Sequence, residues 1–190
     1  MRLHVGVAMP EKGGRPAIVV AEIRENPAGK GVRRWHYRVG NVERVEDRNI
    51  EKAAEALRSL VAAVVGERPC VFVDTGSPQG VALLRVLRGG DWPAELHHPH
   101  QYRRTKADTR LFAQLLEAYA EGTSEFLPDL PHRKDLDRAM VLFRGGGARV
   151  AGDELESEDE ALVIALCLAV TMPSHGIRPA DVFTGVNTSA

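Results

Sequence analysis

Asp74 closes the run Cys70-Val71-Phe72-Val73-Asp74-Thr75-Gly76, a short apolar stretch that ends abruptly in a carboxylate and a glycine. Such a run, rich in β-branched and aromatic residues and bounded by Pro69 and Gly76, predicts a strand buried on both faces. A carboxylate at the tip of that strand is held by a rigid element and exposed at the sheet's edge. Metal-dependent phosphoryl chemistry needs this placement, because hard divalent cations take oxygen ligands in nearly fixed geometry. The same Asp also suits the start of a plain turn before Gly76.

Two further clusters carry chemistry-bearing side chains. In Ser157-Glu158-Asp159-Glu160, Ser157 and Glu160 have capping-box spacing, and acids in a first helical turn suit the helix dipole. The box leaves the Asp159 carboxylate free. The segment Leu96-His97-His98-Pro99-His100-Gln101-Tyr102-Arg103-Arg104-Thr105-Lys106 gathers three histidines and three basic residues. Pro99 and the lack of a Cys or Glu at ligand spacing argue against zinc. Arg103, Arg104 and Lys106 suit phosphate groups and Tyr102 suits stacking on a base, so a DNA-backbone contact surface fits. The structural alternative is a solvated loop leading into a helix. Gly145-Gly146-Gly147, flanked by Arg144 and Arg149, reads as a flexible loop, and Arg133-Lys134 with Asp135 and Asp137 as a mixed-charge face.

The elements that must position these residues follow from periodicity. Leu3–Ala8 and Ala17–Ile23 read as an antiparallel hairpin across the turn-rich residues 9–16, with Trp35–Val39 as a third strand. Ile50, Ala53, Ala54, Leu57, Leu60, Val61 and Val64 recur at helical spacing, predicting an amphipathic helix over Asn49–Val65. A helix over Gly80–Leu87 follows the Asp74 strand, and Ala94–His98 reads as a short strand. Thr105–Gly122 predicts a helix ended by Gly122. Leu136–Arg144 is open between strand and helix, and Ala148–Ala151 is at most a brief strand. Glu160–Met172 is a strongly apolar helix. The expected organisation is one domain over 1–173 and a C-terminal tail over 174–190. The expected fold is a mixed α/β sheet flanked by helices, with ligands beyond the carboxyl ends of its central strands.

Composition sets bounds on this reading. The 190 residues, 44% apolar and 27% charged, allow one sizeable core. A net charge of −1 leaves nucleic-acid binding to a local basic patch. Cys70 and Cys167 sit in core-like contexts, which suits buried thiols in a reducing compartment. No apolar run approaches the roughly 18 residues of a spanning helix, and the opening residues read as a strand rather than a signal peptide. There is no Walker A motif and no Gly-x-Ser-x-Gly elbow, so neither an ATPase motor nor acyl transfer has support.

From Asp74 onward the order of motifs resembles the C-terminal nuclease domain of phage terminase large subunits, a branch of the RNase H-like superfamily. The motifs are Val73-Asp74-Thr75-Gly76 at a strand end, Arg103-Arg104-Thr105-Lys106 opening a helix, Tyr119-Ala120-Glu121-Gly122 closing it, Phe126-Leu127-Pro128 after it, and Ser157-Glu158-Asp159-Glu160-Ala161-Leu162 opening a last apolar helix. With the opening hairpin, the resemblance spans roughly residues 3 to 172. It implies an RNase H-like fold and DNA cleavage by an acidic cluster holding two Mg²⁺ or Mn²⁺ ions. It also implies a DNA partner, a separate ATPase motor or other packaging subunit, and a place in the bacterial cytoplasm as a phage or prophage product. On that resemblance Asp74 takes the second carboxylate and Asp159 or Glu160 the third, while Arg103, Arg104 and Lys106 position the phosphate backbone.

The first carboxylate is missing, because Ala8 stands in its place. Glu11, three residues on in the turn, is a substitute only if the loop folds back, and Glu22 on the second strand is the weaker one. The expectation is a metal-dependent endonuclease with Asp74, Asp159 and Glu160 or Glu11 at its centre. The alternative is an inactive RNase H-like subunit for DNA binding or assembly, and a third is a resolvase-like enzyme selective for branched DNA.

Overall fold

Residues 2–8 alternate so that Val5 and Val7 face one side of a strand and His4, Gly6 and Ala8 the other, and both sides are buried. A strand with no polar face belongs in the middle of a sheet covered on both sides. In the computed structural model, which describes residues 2–10, 14–28, 32–46, 48–64, 68–90, 92, 94–97, 123–144 and 157–170, that is where it lies. The strands are β1 (Arg2–Ala8), β2 (Ala17–Ala28), β3 (Val32–Arg44), β4 (Cys70–Val73), β5 (Glu95–His97) and β6 (Thr123–Phe126). They form a six-stranded sheet in the order β5-β4-β1-β2-β3-β6. β1, β2 and β3 are antiparallel neighbours, whereas β4 on β1, β5 on β4 and β6 on β3 pair in parallel.

Helices α1 (Ile50–Ala62) and α2 (Pro78–Arg88) pack on one face, where Ala53, Ala54, Leu57, Val61, Leu83, Leu84 and Leu87 meet Val5, Val7, Val71 and Val73. Asn49 caps α1 by accepting from the Glu51 amide at 2.7 Å. Ser77 caps α2 by accepting from the Gly80 amide at 3.1 Å, with Pro78 in the first turn. Helices α3 (Arg133–Arg144) and α4 (Ser157–Ala169) cover the other face. Every residue from Ala161 to Ala169 is buried, which explains a helix that is apolar all round rather than on one stripe. α4 lies unusually close to β1: a Cβ on Gly6 would stand 1.9 Å from the Ala165 carbonyl oxygen and 2.7 Å from the Ala169 amide nitrogen. Only glycine permits that approach.

Several sequence expectations change. β3 runs well past Val39 to Arg44, and β2 past Ile23 to Ala28. Leu136–Arg144 is helical, within α3, and α4 begins at Ser157 rather than Glu160. β6 has no counterpart in the sequence reading. Cys167 is buried and Cys70 half-buried, and the two form no disulfide. The predicted helix 105–122, the 145–147 loop, the brief strand 148–151 and the tail 174–190 lie outside the described residues.

Candidate functional site

The parallel ladder between β1 and β4 continues one step past the strand, because the Asp74 amide donates to the Val7 carbonyl at 2.8 Å. Two more contacts fix Asp74. Its Oδ1 accepts from the Gly76 amide at 2.9 Å, closing an Asx turn. The first turn of α2 presses against its carbonyl, where a Cβ on Gly80 would lie 1.9 Å from the Asp74 oxygen. The residue is 3% exposed. Asp74 is therefore a rigidly placed carboxylate at the carboxyl end of a central strand.

Across the sheet from it the register sets out one row. Ala8 follows Val7, which pairs with Val73; Ala8 pairs with Ala17, and Ala17 with Arg44. The row thus reads Asp74, Ala8, Ala17, Arg44, one residue from each of β4, β1, β2 and β3. At about 4.8 Å between strands, the Arg44 Cα stands roughly 14 Å from that of Asp74. Ala8 and Ala17 belong to the core cluster under α3 and α4, and the two-residue alternation from Phe72 assigns position 74 to the same face.

Arg44 reaches that face through a bulge. Val20 pairs with Asn41 but Ala21 pairs with Val39, so Gly40 is an extra residue in β3. The insertion shifts the alternation, letting Val39 and Val42 point into the same cluster and carrying Arg44 with them. Its side chain, 6% exposed, meets the acidic start of α4. Nη1 donates to Glu158 Oε2 at 3.0 Å, Nη2 is hydrogen-bonded to Asp159 Oδ1, and Asp135 of α3 lies 4.0 Å away.

Arg15, just before β2, completes the network. Its backbone amide donates to Glu158 Oε1 at 2.9 Å, and Nε and Nη2 donate to Oε2 at 3.1 and 2.9 Å. Gly14 beside it lets the Glu158 side chain in, since a Cβ there would stand 2.6 Å from Cγ. Burial raises the Glu158 carboxyl, but hydrogen bonds and charge from Arg15, with the bond from Arg44, outweigh it and hold the group below its ordinary value. The hydrogen bond and charge of Glu158 in turn raise Arg15. Glu158 therefore ties the end of the β1–β2 connection to the helix that closes the fold.

The sequence-predicted residues distribute as follows. Asp74 lies at the strand end as expected but is buried rather than exposed, and Asp159 is buried at the start of α4 and engaged by Arg44. Glu160 is half-buried in the same turn. Glu22 pairs with Leu3 at the opposite end of β1, where it contacts Arg24 and Arg38, so it is remote from the row. Glu11, Tyr102, Arg103, Arg104 and Lys106 lie outside the described residues. Arg44 and Arg15 were missed. Their signal was weak, since Gly40-Asn41 reads as the end of a strand and residues 9–16 read as a featureless turn.

A six-stranded mixed sheet with three antiparallel strands, a parallel fourth beside the first, and a buried closing helix is the RNase H-like architecture, and this chain has that fold. Among solved structures it is similar to the nuclease domain of the large terminase g2p of bacteriophage SPP1, determined with bound Mn. The TM-score is 0.54 at 12% identity, covering 89% of this chain and 85% of that one. RuvC of Thermus thermophilus is also similar, at a TM-score of 0.40 and 13% identity over 88% of this chain and 90% of that one. No protein-family model and no curated protein matches the chain.

The described residues do not fit the divalent ions this fold is associated with. Two-ion sites surround cations about 3.5–4 Å apart with several carboxylates. Here the central seat of the row is an alanine methyl, and the helix carboxylate is already neutralised by a guanidinium. Among the described residues no group of three His, Cys, Asp or Glu side chains is placed to hold a metal.

Proposed function

We propose that this chain is a DNA-binding RNase H-like domain of the terminase-nuclease type whose cleavage centre has been dismantled. The observation that carries the reading is the row Asp74, Ala8, Ala17, Arg44, in which position 8, where the resemblance expects the first carboxylate, holds an alanine beside Asp74. DNA is proposed as the partner on the likeness to a terminase nuclease domain and on the basic run Arg103-Arg104-Thr105-Lys106. In this reading Arg103, Arg104 and Lys106 hold the phosphate backbone and Tyr102 stacks on a base. A separate ATPase motor or other packaging subunit is proposed as a further partner on the same likeness.

A second reading is favoured by Asp74 itself. A carboxylate fixed by a ladder bond, an Asx turn and the close approach of Gly80 is better held than a turn residue needs to be. In that reading the chain is a metal-dependent endonuclease with Asp74, Asp159 and Glu160 or Glu11 as its acids. Supercoiled plasmid separates the two. With Mn²⁺ or Mg²⁺ the chain is expected to retard duplex DNA in a gel without nicking it. Nicking that disappears in Asp74→Ala would establish the enzyme, and neither binding nor nicking would defeat both readings.

A further inference from the structure

We infer that Arg44 is a resident cation that takes over the charge-neutralising work of metal at the start of α4, so that restoring an ion site requires removing Arg44 as well as supplying the missing carboxylate at position 8. The inference rests on the proposal that the cleavage centre is dismantled.

Three observations lead there. First, the guanidinium is built in rather than incidental: its side chain is 6% exposed, and a bulge at Gly40 is what brings position 44 onto the α4 face. Second, it is hydrogen-bonded to two carboxylates of one helical turn, Glu158 and Asp159. Two acids with side-chain exposures of only 20% and 11%, next to each other in sequence, carry a like-charge and desolvation cost that a cation between or beside them offsets. Divalent metal is one such cation, and a planar guanidinium with several donors is another. Third, the surrounding surface is already committed. Arg15 shares Glu158 Oε2 with Arg44, and Ala8 and Ala17 fill the row between Asp74 and Arg44 with core methyls.

The consequence concerns order. Placing an Asp at position 8 alone sets a carboxylate beside Asp74, but Asp159 stays bonded to Arg44 and the third ligand remains withheld. Both changes are needed before the acids of the row and of α4 can turn to a common ion.

The test uses Mn²⁺ as the probe and compares the full chain with Ala8→Asp, Arg44→Gln and the Ala8→Asp/Arg44→Gln pair. Melting is followed by far-UV circular dichroism in Mn²⁺ and in EDTA, and bound Mn²⁺ is counted by loss of the free-ion electron paramagnetic resonance signal. The expected result is no Mn²⁺ effect for the parent or for Ala8→Asp, and a melting temperature raised by Mn²⁺, with stoichiometric ion uptake, for the pair. Uptake by Ala8→Asp alone would overturn the inference while leaving the dismantled-centre reading intact, and so would a folded pair that takes up no ion. Uptake by the unaltered chain would overturn that underlying reading. Should Arg44→Gln prevent folding, Arg44→Gln/Asp159→Asn decides the neutralising role: it is expected to fold, and failure to recover structure overturns the inference.

Discussion

Replacing Arg44 by methionine removes one buried charge and leaves its partners in place. Arg44 is 6% exposed at its side chain and Asp159 11%, and the two are directly hydrogen-bonded. Glu158 still has Arg15, so the loss falls mainly on Asp159, which becomes an uncompensated carboxylate next to Ala161 and Leu162. Breaking one side of a buried pair costs about 3–5 kcal/mol, most of it the stranded charge rather than the worth of the pair. For a domain of this size that is a fall of roughly 6–20 °C in melting temperature. Arg44→Met/Asp159→Leu removes both charges and is expected to come back to within about 1–2 kcal/mol of the parent, because an apolar pair of similar volume costs no desolvation. Urea unfolding of the parent, both single variants and the pair closes a double-mutant cycle, with a predicted coupling of about 2–3 kcal/mol. A single Arg44→Met loss below 1 kcal/mol, or strictly additive variants, would refute the view that this guanidinium holds α4 to the sheet.

Gly6→Ala places a methyl inside van der Waals distance of the Ala165 carbonyl and forces α4 off β1. A loss of at least about 3 kcal/mol in urea unfolding is expected, and a change within 0.5 kcal/mol would mean the helix is not seated that closely. The Glu158 clamp predicts an acid-sensitive component of stability. Its folded-state carboxyl lies below the ordinary 4.5, so its contribution is complete above that pH and is lost as pH falls through the lower folded value. Melting curves between pH 6 and 3 should therefore fall less steeply below pH 4.5 for Glu158→Gln than for the parent, and parallel curves would remove Glu158 from the account.

How much of this was legible in the sequence depended on whether the signal was local. Val71-Phe72-Val73-Asp74 declares a buried strand ending in a carboxylate, and the amphipathic spacing of Ala53, Ala54, Leu57 and Val61 declares α1, so both are found where periodicity puts them. β3 is different. Gly40-Asn41 is turn chemistry on its face, and only the partner strand, by pairing Val20 with Asn41 and Ala21 with Val39, turns it into a bulge inside one long strand. Arg44 was invisible for that reason: alternation counted straight through from Val39 puts it on the wrong face. Asp159 was legible as an acid at a helix start, but its partner lies 115 residues away in β3. The site's chemistry is thus set by pairings that local spacing does not carry.

The retained and altered parts of the row obey one physical rule. A buried carboxylate survives only where something offsets its desolvation, and the three acids here are offset in three ways. Asp74 has its Oδ1 bonded to the Gly76 amide, while its Oδ2 is buried without a hydrogen bond among the described residues. Glu158 is held by two arginines from different elements. Asp159 has Arg44. A fold whose closing helix begins with adjacent acids must supply positive charge at that point, from an ion or from a side chain. Here β3 carries an arginine to that point across the Gly40 bulge, so α4 docks with a side-chain cation at its start. An acid at position 8 would sit buried next to Asp74, and the buried methyl of Ala8 carries no such desolvation cost. In the proposed reading, an alanine at position 8 and an arginine at position 44 are therefore two halves of one exchange, in which a centre that needed ions becomes a core that does not.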